Sequence, residues 1–176
     1  MTAFNRTPQN TNYLQQSKFI LTFDRIGTTQ YFCQTVNIPG INLGATSVNT
    51  PTLDINVPST KLTYNPFNIR FNVDEKLDSW QQLHRWFRSI ASPEGFEERK
   101  RLTELQNQYK SHTLKNYSDA TLTVLNNLNN PTLRVHFYNV FPTSLSDITF
   151  DTTSSADDIV TADASFNFDY FDFETV

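Results

Sequence analysis

The fold is decided by residues 57–93, which read VPSTKLTYNPFNIRFNVDEKLDSWQQLHRWFRSIASP. Over residues 61–73 apolar and polar side chains nearly alternate, which is typical of a strand with one buried face. The alternation breaks at Asn65 and Pro66, because proline cannot donate a hydrogen bond to a strand ladder. After Asp74 apolar residues recur every three to four positions, as they do on an amphipathic helix. The stretch therefore predicts two short strands, or one kinked strand, followed by a helix.

The predicted helix carries an apolar stripe large enough to cover the apolar face of a sheet. The stripe consists of Leu77, Trp80, Leu83, Phe87 and Ile90, and Trp86 widens it. Asp78 and Gln81 have the spacing of a capping box, and Asp74 is an alternative cap. The residues that we expect to anchor this helix in the core are Trp80, Leu83, Phe87 and Ile90.

Strand patterns also dominate the rest of the chain. Residues 18–26 and 30–36 predict a hairpin, and turn residues at 129–131 separate two further strands. The second of these is expected to end at residues 141–144, which begin with Phe141 and Pro142. Residues 160–170 alternate most clearly, with a polar face that contains Thr161, Asp163, Ser165, Asn167 and Asp169. We therefore predict a mainly β fold, an antiparallel β-sandwich or partly open barrel of roughly seven or eight strands with one flanking α-helix.

The composition fits one domain with an aromatic core. The 176 residues include 15 Phe, 7 Tyr and 2 Trp, but only 4 Gly and one Cys. So few glycines leave no Walker-type or dinucleotide-binding loop, and no cofactor is predicted. The single cysteine, Cys33, excludes a disulfide framework. The polar amino terminus predicts neither a signal peptide nor membrane insertion.

No residue pattern predicts catalysis or a metal site. His84, His112 and His136 lack metal-ligand spacing to a cysteine or carboxylate. Glu97 and Glu98 are adjacent and offer no evident pocket for paired-carboxylate chemistry. A nucleophile elbow of the G-x-S-x-G kind is missing from the sequence. The sequence therefore predicts a protein that is not an enzyme.

Three segments are poorly suited to a core. Residues 1–16 are polar and indicate an amino-terminal arm that orders only with a partner. Residues 42–58 are small, β-branched and weakly apolar, and predict a long hairpin that is either a mobile loop or a contact with a neighbouring copy. Residues 94–118 form a charged insertion, which is either a solvated helix or loop or a contact peculiar to this protein.

Three motifs carry a resemblance to a known family. They are KLTYNPFNIRFNVDEKLDSWQQLHRWFRSIASPEG, then CQTVNIPGINLG with PTLDINVPS upstream of it, and FYNVFPTSLSDITFDTTSSADDIVTADASFNFDYFDFE downstream. In this order they resemble the tail tube proteins of contractile-tailed bacteriophages. The resemblance covers most of residues 13–174 and is poor over residues 94–118. It identifies residues 1–176 as a single domain of the tail-tube type.

The resemblance implies a structural virion protein that is made in the host cytoplasm and packaged in the tail. It also implies that copies of the chain form hexameric rings and that these rings stack into the inner tail tube. The implied partners are the tail sheath protein, the tape-measure protein, the baseplate and tail-terminator proteins, and viral DNA that passes through the lumen without specific binding. The long hairpin then lies between subunits, and its candidate contact residues are Thr46, Val48, Thr50, Leu53, Ile55 and Val57.

Other functions remain open from the sequence. Within the same class, the chain fits a baseplate ring that initiates the tube, or the tube of a contractile injection system. From another class, aromatic strands also suit a β-barrel that binds single-stranded nucleic acid by base stacking. That kind of site needs basic residues between outward aromatic side chains, whereas Phe166, Phe168 and Tyr170 alternate with Asn and Asp.

The charge distribution bears on where the last strand faces. Residues 1–118 hold 13 Lys and Arg against 9 Asp and Glu, whereas residues 119–176 hold 1 against 9. Such an acidic third is a poor surface for binding duplex DNA, which needs cations to displace condensed counterions. We expect the polar face of the last strand to line the lumen free of cations, although it could instead face the sheath. The lumen candidates are Asp163, Ser165, Asn167 and Asp169.

Overall fold

A computed structural model describes residues 14, 16–26, 32–93, 95–97, 100, 116–153, 155 and 158–176. Most of the predicted arm at residues 1–16 and of the insertion at residues 94–118 lies outside this part of the chain. In chain order the elements are β1 (Phe19–Phe23), β2 (Cys33–Val36), β3 (Ile41–Asn49), β4 (Asp54–Tyr64), β5 (Phe67–Asn72), α1 (Asp78–Ala91), β6 (Ser118–Leu125), β7 (Pro131–Leu145), β8 (Thr161–Asn167) and β9 (Tyr170–Thr175). The predicted mainly β fold with one flanking helix is confirmed.

Seven strands form one antiparallel sheet, which runs in the order β1-β6-β7-β8-β5-β2 with β9 also paired to β7. The long strand β7 is shared, because its first part pairs with β6 and β9 and its last part, from Phe141 to Leu145, pairs with β8. The sheet therefore has two halves. We call β1, β6, β9 and the first part of β7 half A, and β2, β5, β8 and the last part of β7 half B.

The extent of β7 corrects one expectation from the sequence. Phe141 and Pro142 were expected to end the strand, but β7 continues to Leu145. A register shift between Pro142 and Ser144 accommodates the proline, as β-bulges commonly do.

The last predicted strand is also two strands, since β8 ends at Asn167 and β9 begins at Tyr170. The chain turns between them because Asp169 is tied to β7. Its backbone N–H donates to the carbonyl oxygen of Tyr138 at 3.1 Å, and its carboxylate accepts from the amide of Asn139 at 2.6 Å. Asn139 itself has a φ of 56°. The alternating pattern of residues 160–170 therefore spans a corner of the fold.

Aromatic side chains from both halves form the core. The rings of Phe67 and Phe137 lie 4.6 Å apart between centroids, and those of Phe23 and Phe166 lie 5.2 Å apart. Each pair joins one strand of half A to one strand of half B. The two halves therefore pack face to face through tilted aromatic contacts.

Helix α1 begins beyond a left-handed residue, Leu77, which has a φ of 59°. The carboxylate of Asp74 accepts hydrogen bonds from the backbone N–H groups of Asp78 and Ser79, each at 3.1 Å, and from the Ser79 hydroxyl at 2.9 Å. The helix is thus capped by Asp74, while the Gln81 side chain donates to the Lys76 carbonyl. Leu77 precedes the helix and is not part of its apolar stripe.

The buried line of α1 differs from the predicted one. Leu83 and Trp86 are 0% and 1% exposed, and the small residues Ser79 and Ser89 are buried beside them. Trp80 and Ile90 are half-buried and pack against the core, whereas Phe87 is half-buried and is not among the residues packed there. Two serines let the helix approach closely, so the largest buried anchor is Trp86. The expectation for Phe87 is corrected accordingly.

Trp86 makes three contacts that the sequence could not show. Its indole N–H donates to the carbonyl oxygen of Asn116 at 3.1 Å, and its ring lies 5.9 Å from that of Phe166. The Arg25 guanidinium lies 5.1 Å from the ring centroid and donates to the Ser89 hydroxyl at 2.9 Å. Burial lowers the pKa of Arg25 to about 10, so it stays charged at neutral pH.

Candidate assembly surfaces

The predicted hairpin is a separate two-stranded sheet formed by β3 and β4. It runs from Ile41 to Tyr64 and so exceeds the expected residues 42–58, because β4 continues beyond Pro58 through a register shift and ends only before Asn65 and Pro66. All of β3 is exposed, and in β4 only Ser59 and Tyr64 are half-buried. An isolated two-stranded hairpin is marginally stable in water. The β3–β4 hairpin is therefore a candidate for contact with another molecule.

The outer part of the hairpin has one apolar side. Thr46 pairs with Val57 and Val48 pairs with Ile55, so these four side chains share a face, which we call the tip face. Val48, Val57 and Ile55 are 49%, 44% and 50% exposed. The neighbouring pairs, Ser47 with Asn56 and Asn49 with Asp54, are polar and lie on the opposite face.

Thr50 and Leu53 have a different place from the other contact candidates, since they form the turn. The Thr50 hydroxyl donates to the carbonyl oxygen of Leu53, and the Leu53 N–H donates back to that hydroxyl at 3.2 Å. The Thr50 side chain thus stabilises the turn, and the Leu53 side chain is left exposed.

The base of the hairpin is fixed to the domain. The Asn65 N–H donates to the Gly40 carbonyl oxygen at 2.9 Å, and the Asn42 amide donates to the Asn65 side-chain oxygen at 2.9 Å. The Tyr64 ring lies 5.3 Å from Phe168. A Cβ at Gly40 would come within 2.9 Å of the Asn65 amide nitrogen, so a larger residue there would disturb this anchor. The hairpin therefore leaves the core from a defined base.

The outer face of half B is polar, as predicted, but it is not free of cations. Arg70 makes a two-point contact with Asp163, with Nε to Oδ1 at 2.8 Å and Nη2 to Oδ2 at 3.0 Å. The hydrogen bond from Arg70 lowers the pKa of Asp163. The two side chains are 51% and 58% exposed, so water screens the pair and it adds little stability. The face is neutral at this position and not acidic.

The four lumen candidates do not all lie on that face. Asp163, Ser165 and Asn167 belong to β8 and alternate with its buried residues, so they face outward from half B. The Ser165 hydroxyl donates to the Asn68 side-chain oxygen at 2.6 Å. Asp169 lies beyond the end of β8 in the corner with Asn139 and is removed from the set.

The outer face of half A carries an ionisable cluster. His136 Nε2 lies 3.0 Å from Glu174 Oε2, and its Nδ1 lies 3.1 Å from the Thr121 hydroxyl. The hydrogen bond from His136 lowers the pKa of Glu174, and the charge of Arg134 adds to this effect. Across the described residues, no group of three or more His, Cys, Asp or Glu side chains could hold a metal ion.

The strand aromatics do not provide a platform for base stacking. Phe166 is fully buried, and Phe168 packs against the core. Tyr170 is exposed, but it stacks on Tyr138 with centroids 4.6 Å apart, and an acidic residue, Asp172, follows two positions later. A nucleic-acid-binding barrel would need free rings beside cations, and this arrangement does not favour one.

Sequence reasoning missed two features of these surfaces. Arg70 and Asp163 are 93 residues apart, and only the β5–β8 register brings them together. The pairing of Leu43 with Leu62 at the hairpin base likewise depends on register.

In the described part of the chain, no helix has the length and apolar character needed to cross a membrane.

Comparisons with known proteins agree on the kind of molecule. The chain is 26% identical over 170 residues to the tail tube terminator protein of Enterobacteria phage T4, which covers 93% of this chain and 90% of that protein. Its fold resembles the tube-terminating cap of the anti-feeding prophage, with a TM-score of 0.63, 16% identity and full coverage of both chains. It equally resembles a chain of the anti-feeding prophage baseplate, with a TM-score of 0.63, 10% identity and coverage of 95% of this chain and 98% of the other.

A family model described as phage tail tube protein matches residues 4–174. That match includes the core, helix α1 and the β3–β4 hairpin. The resemblance found in the sequence is confirmed. The chain belongs to the phage tail tube protein family.

Proposed function

We propose that this protein forms the terminal ring of a contractile tail tube. The observation that carries the proposal is the end-to-end similarity to the T4 tail tube terminator protein, which spans 93% of the chain. From the sequence we expected the tube proper and placed a terminator among its partners. The similarity to the T4 protein leads us to propose the terminator role for this chain instead.

The two roles differ in what a ring must offer. A tube ring needs two complementary faces so that rings add without limit, whereas a terminal ring needs only one face that fits the tube. Six copies form the ring, as the family resemblance implies, and the ring sits at the end of the tube away from the baseplate. The sheath and tape-measure proteins remain its neighbours, and DNA passes through its opening. The proposed role is to form a ring of fixed geometry, and it involves no catalysis.

The purified protein is expected to form closed rings that do not stack. When these rings are added to growing tubes of the tube protein of the same phage, elongation should stop, and negative-stain images should show one ring at a tube end. Tubes of the pure protein would contradict the proposal in favour of the tube proper. Rings that start tubes would favour the baseplate role, and monomers that retard an oligonucleotide would favour nucleic-acid binding.

We further propose that the outer face of half B lines the opening of the ring. Its side chains are small and polar, and Arg70 is neutralised by Asp163. Duplex DNA carries one charge per about 1.7 Å, so a repeated unpaired cation would retain it. A neutral face at this position would let DNA slide. Such a role explains why the cation on this face has a two-point partner.

Asp163→Asn is expected to slow DNA release, because it leaves one uncompensated Arg70 per subunit. The delay should shrink at higher salt, since screening shortens the attraction to about 8–10 Å or less. Single-particle ejection from virions that carry the variant measures this rate. The matched control is Arg70→Gln with Asp163→Asn, which restores neutrality and should restore release. Normal release combined with loss of sheathing would place this face outward.

A further inference from the structure

An open cleft lies between the two edge strands β1, in half A, and β2, in half B. In the described part of the chain β1 pairs with β6 alone and β2 pairs with β5 alone, so each has one edge without a neighbouring strand. The cleft has a volume of about 370 Å³, within the range of about 300–1,000 Å³ that is usual for binding sites in proteins. Folded proteins normally cover unpaired strand edges. This side of the molecule is therefore a candidate for a covering segment.

The walls of the cleft are apolar. Leu122 and Val124 of β6 lie at its bottom and are 3% and 7% exposed. Phe19 of β1 and Val36 of β2 lie on its two sides and are half-buried against the core. Ile38 lies at the same opening with 43% of its surface exposed. An occupant with an apolar side chain would remove this surface from water.

The rim of the cleft is polar. Gln16, Gln34 and Thr35 are exposed there and carry no charge. Lys18 also lies at the rim, and its ammonium donates to the carbonyl oxygen of Asn127 at 2.7 Å. The rim therefore suits a peptide backbone with uncharged polar side chains.

The chain itself leads to this cleft. Gln16 and Ser17 form a turn directly before β1, and Leu14, on the other side of that turn, lines the cleft with 71% of its surface exposed. The residues that precede Leu14 read MTAFNRTPQNTNY. In an extended conformation these residues would reach about 43 Å, whereas a strand of the length of β2 spans about 13 Å. They are therefore long enough to cross the cleft and are tethered at its opening.

We propose that residues 1–13 occupy the cleft of their own chain, with the Phe4 side chain between its apolar walls, and so close the open side of the sandwich. Phe4 is the largest wholly apolar side chain of this segment, and Arg6 is its single charged side chain. The remaining residues are mostly small or uncharged and polar, which matches the rim. Pro8 lacks an N–H group, which an edge position tolerates.

The tether favours the same chain over any other occupant. A segment that begins at the opening of a site has an effective concentration on the order of millimolar, which a separate molecule seldom reaches in solution. The sequence indicated an arm that orders only with a partner, and the cleft of the same chain is that partner. In this position the arm shields the edges of β1 and β2 from pairing with foreign strands.

Paramagnetic broadening of methyl signals tests the contact in the full-length protein. Cys33→Ala removes the single native cysteine, and Thr2→Cys then carries a nitroxide spin label two residues from Phe4. An unpaired electron broadens the signals of nearby nuclei, so the label reports where the arm lies.

We expect the label to broaden the methyl signals of Leu122, Val124 and Ile38 at the cleft. Those of Val48 and Ile55 at the hairpin tip should stay sharp. Equal broadening at both places, or none at the cleft, would overturn the docking. A mixture of spin-labelled copies without isotope and isotope-enriched copies without label should show no broadening. Broadening in that mixture would assign the arm to a neighbouring copy and so reject the contact within one chain.

Two substitutions in the arm of the labelled protein complete the test. Phe4→Ser should abolish the broadening at the cleft, because it removes the apolar side chain that enters it. Arg6→Gln is the matched control and should leave the broadening intact. Broadening that survives Phe4→Ser would show that Phe4 does not anchor the arm. No step requires a ring, so these results stand apart from the terminator role.

Discussion

Deleting residues 46–53 is expected to leave a folded monomer that forms no rings. The deletion removes the turn and half of the tip face but no core residue, since every residue of β3 is exposed. Ala45 and Pro58 are paired in the hairpin, and after the deletion four residues, 54–57, connect them, which is a common hairpin loop length. The domain should therefore keep its melting temperature while losing its intersubunit contact.

Light scattering after size exclusion, together with circular dichroism, separates these two effects. The matched control is Ser47→Ala with Asn56→Ala, which alters the polar side of the same ribbon and should leave ring formation intact. Rings of normal size from the deletion variant would show that the hairpin is not needed between subunits. A large fall in melting temperature would show instead that the hairpin supports its own domain.

Local patterns in the sequence were sufficient for most elements of the fold. The break at Asn65 and Pro66 separated β4 from β5, and the change of period after Asp74 located α1, because both signals depend on residues that are close in the chain. The turn between β6 and β7 was predicted for the same reason, and Asn129 there has a φ of 62°.

Contacts between distant residues explain what the sequence could not predict. The corner at Asp169 exists because Tyr138 and Asn139 bind it, and nothing in the alternation of residues 160–170 indicates that turn. Pro142 signalled the end of a strand, yet a bulge beside β8 lets β7 continue and join the two halves. In both places tertiary pairing overrode a local signal.

Of the candidate surfaces, some could be predicted from local sequence patterns and others depend on contacts between distant residues. The location of the hairpin and its apolar outer residues could be predicted, because small and β-branched residues without large core side chains stand out in the sequence. The apolar pair at the hairpin base could not, since it needs the pairing of Leu43 with Leu62. The neutral pair of Arg70 and Asp163 likewise appears only once β5 and β8 are adjacent.

Replacing Trp86 by Ala is expected to lower the free energy of unfolding by about 3–5 kcal/mol, which is the usual cost of emptying a buried aromatic site. That is a large share of the roughly 5–15 kcal/mol that stabilises a domain. The loss is large because Trp86 fills space between α1 and Phe166 and also carries the hydrogen bond to Asn116 and the stacked Arg25. Urea unfolding measures the change.

The neighbouring residue is the matched control for this position. Phe87 is also aromatic and lies on the same helix, but it is half-buried and not packed against the core, so Phe87→Ala should cost less than half as much. If Trp86→Ala yields no soluble protein, Trp86→Phe keeps most of the volume, loses the N–H donor to Asn116 and remains measurable. Equal losses at Trp86 and Phe87 would mean that α1 packs through a wider stripe, as the periodicity of residues 77–90 alone had predicted. A greater loss at Trp86 would mean that Trp86, which lies beside the buried Ser79 and Ser89, is the main aromatic anchor of the helix on the sheet.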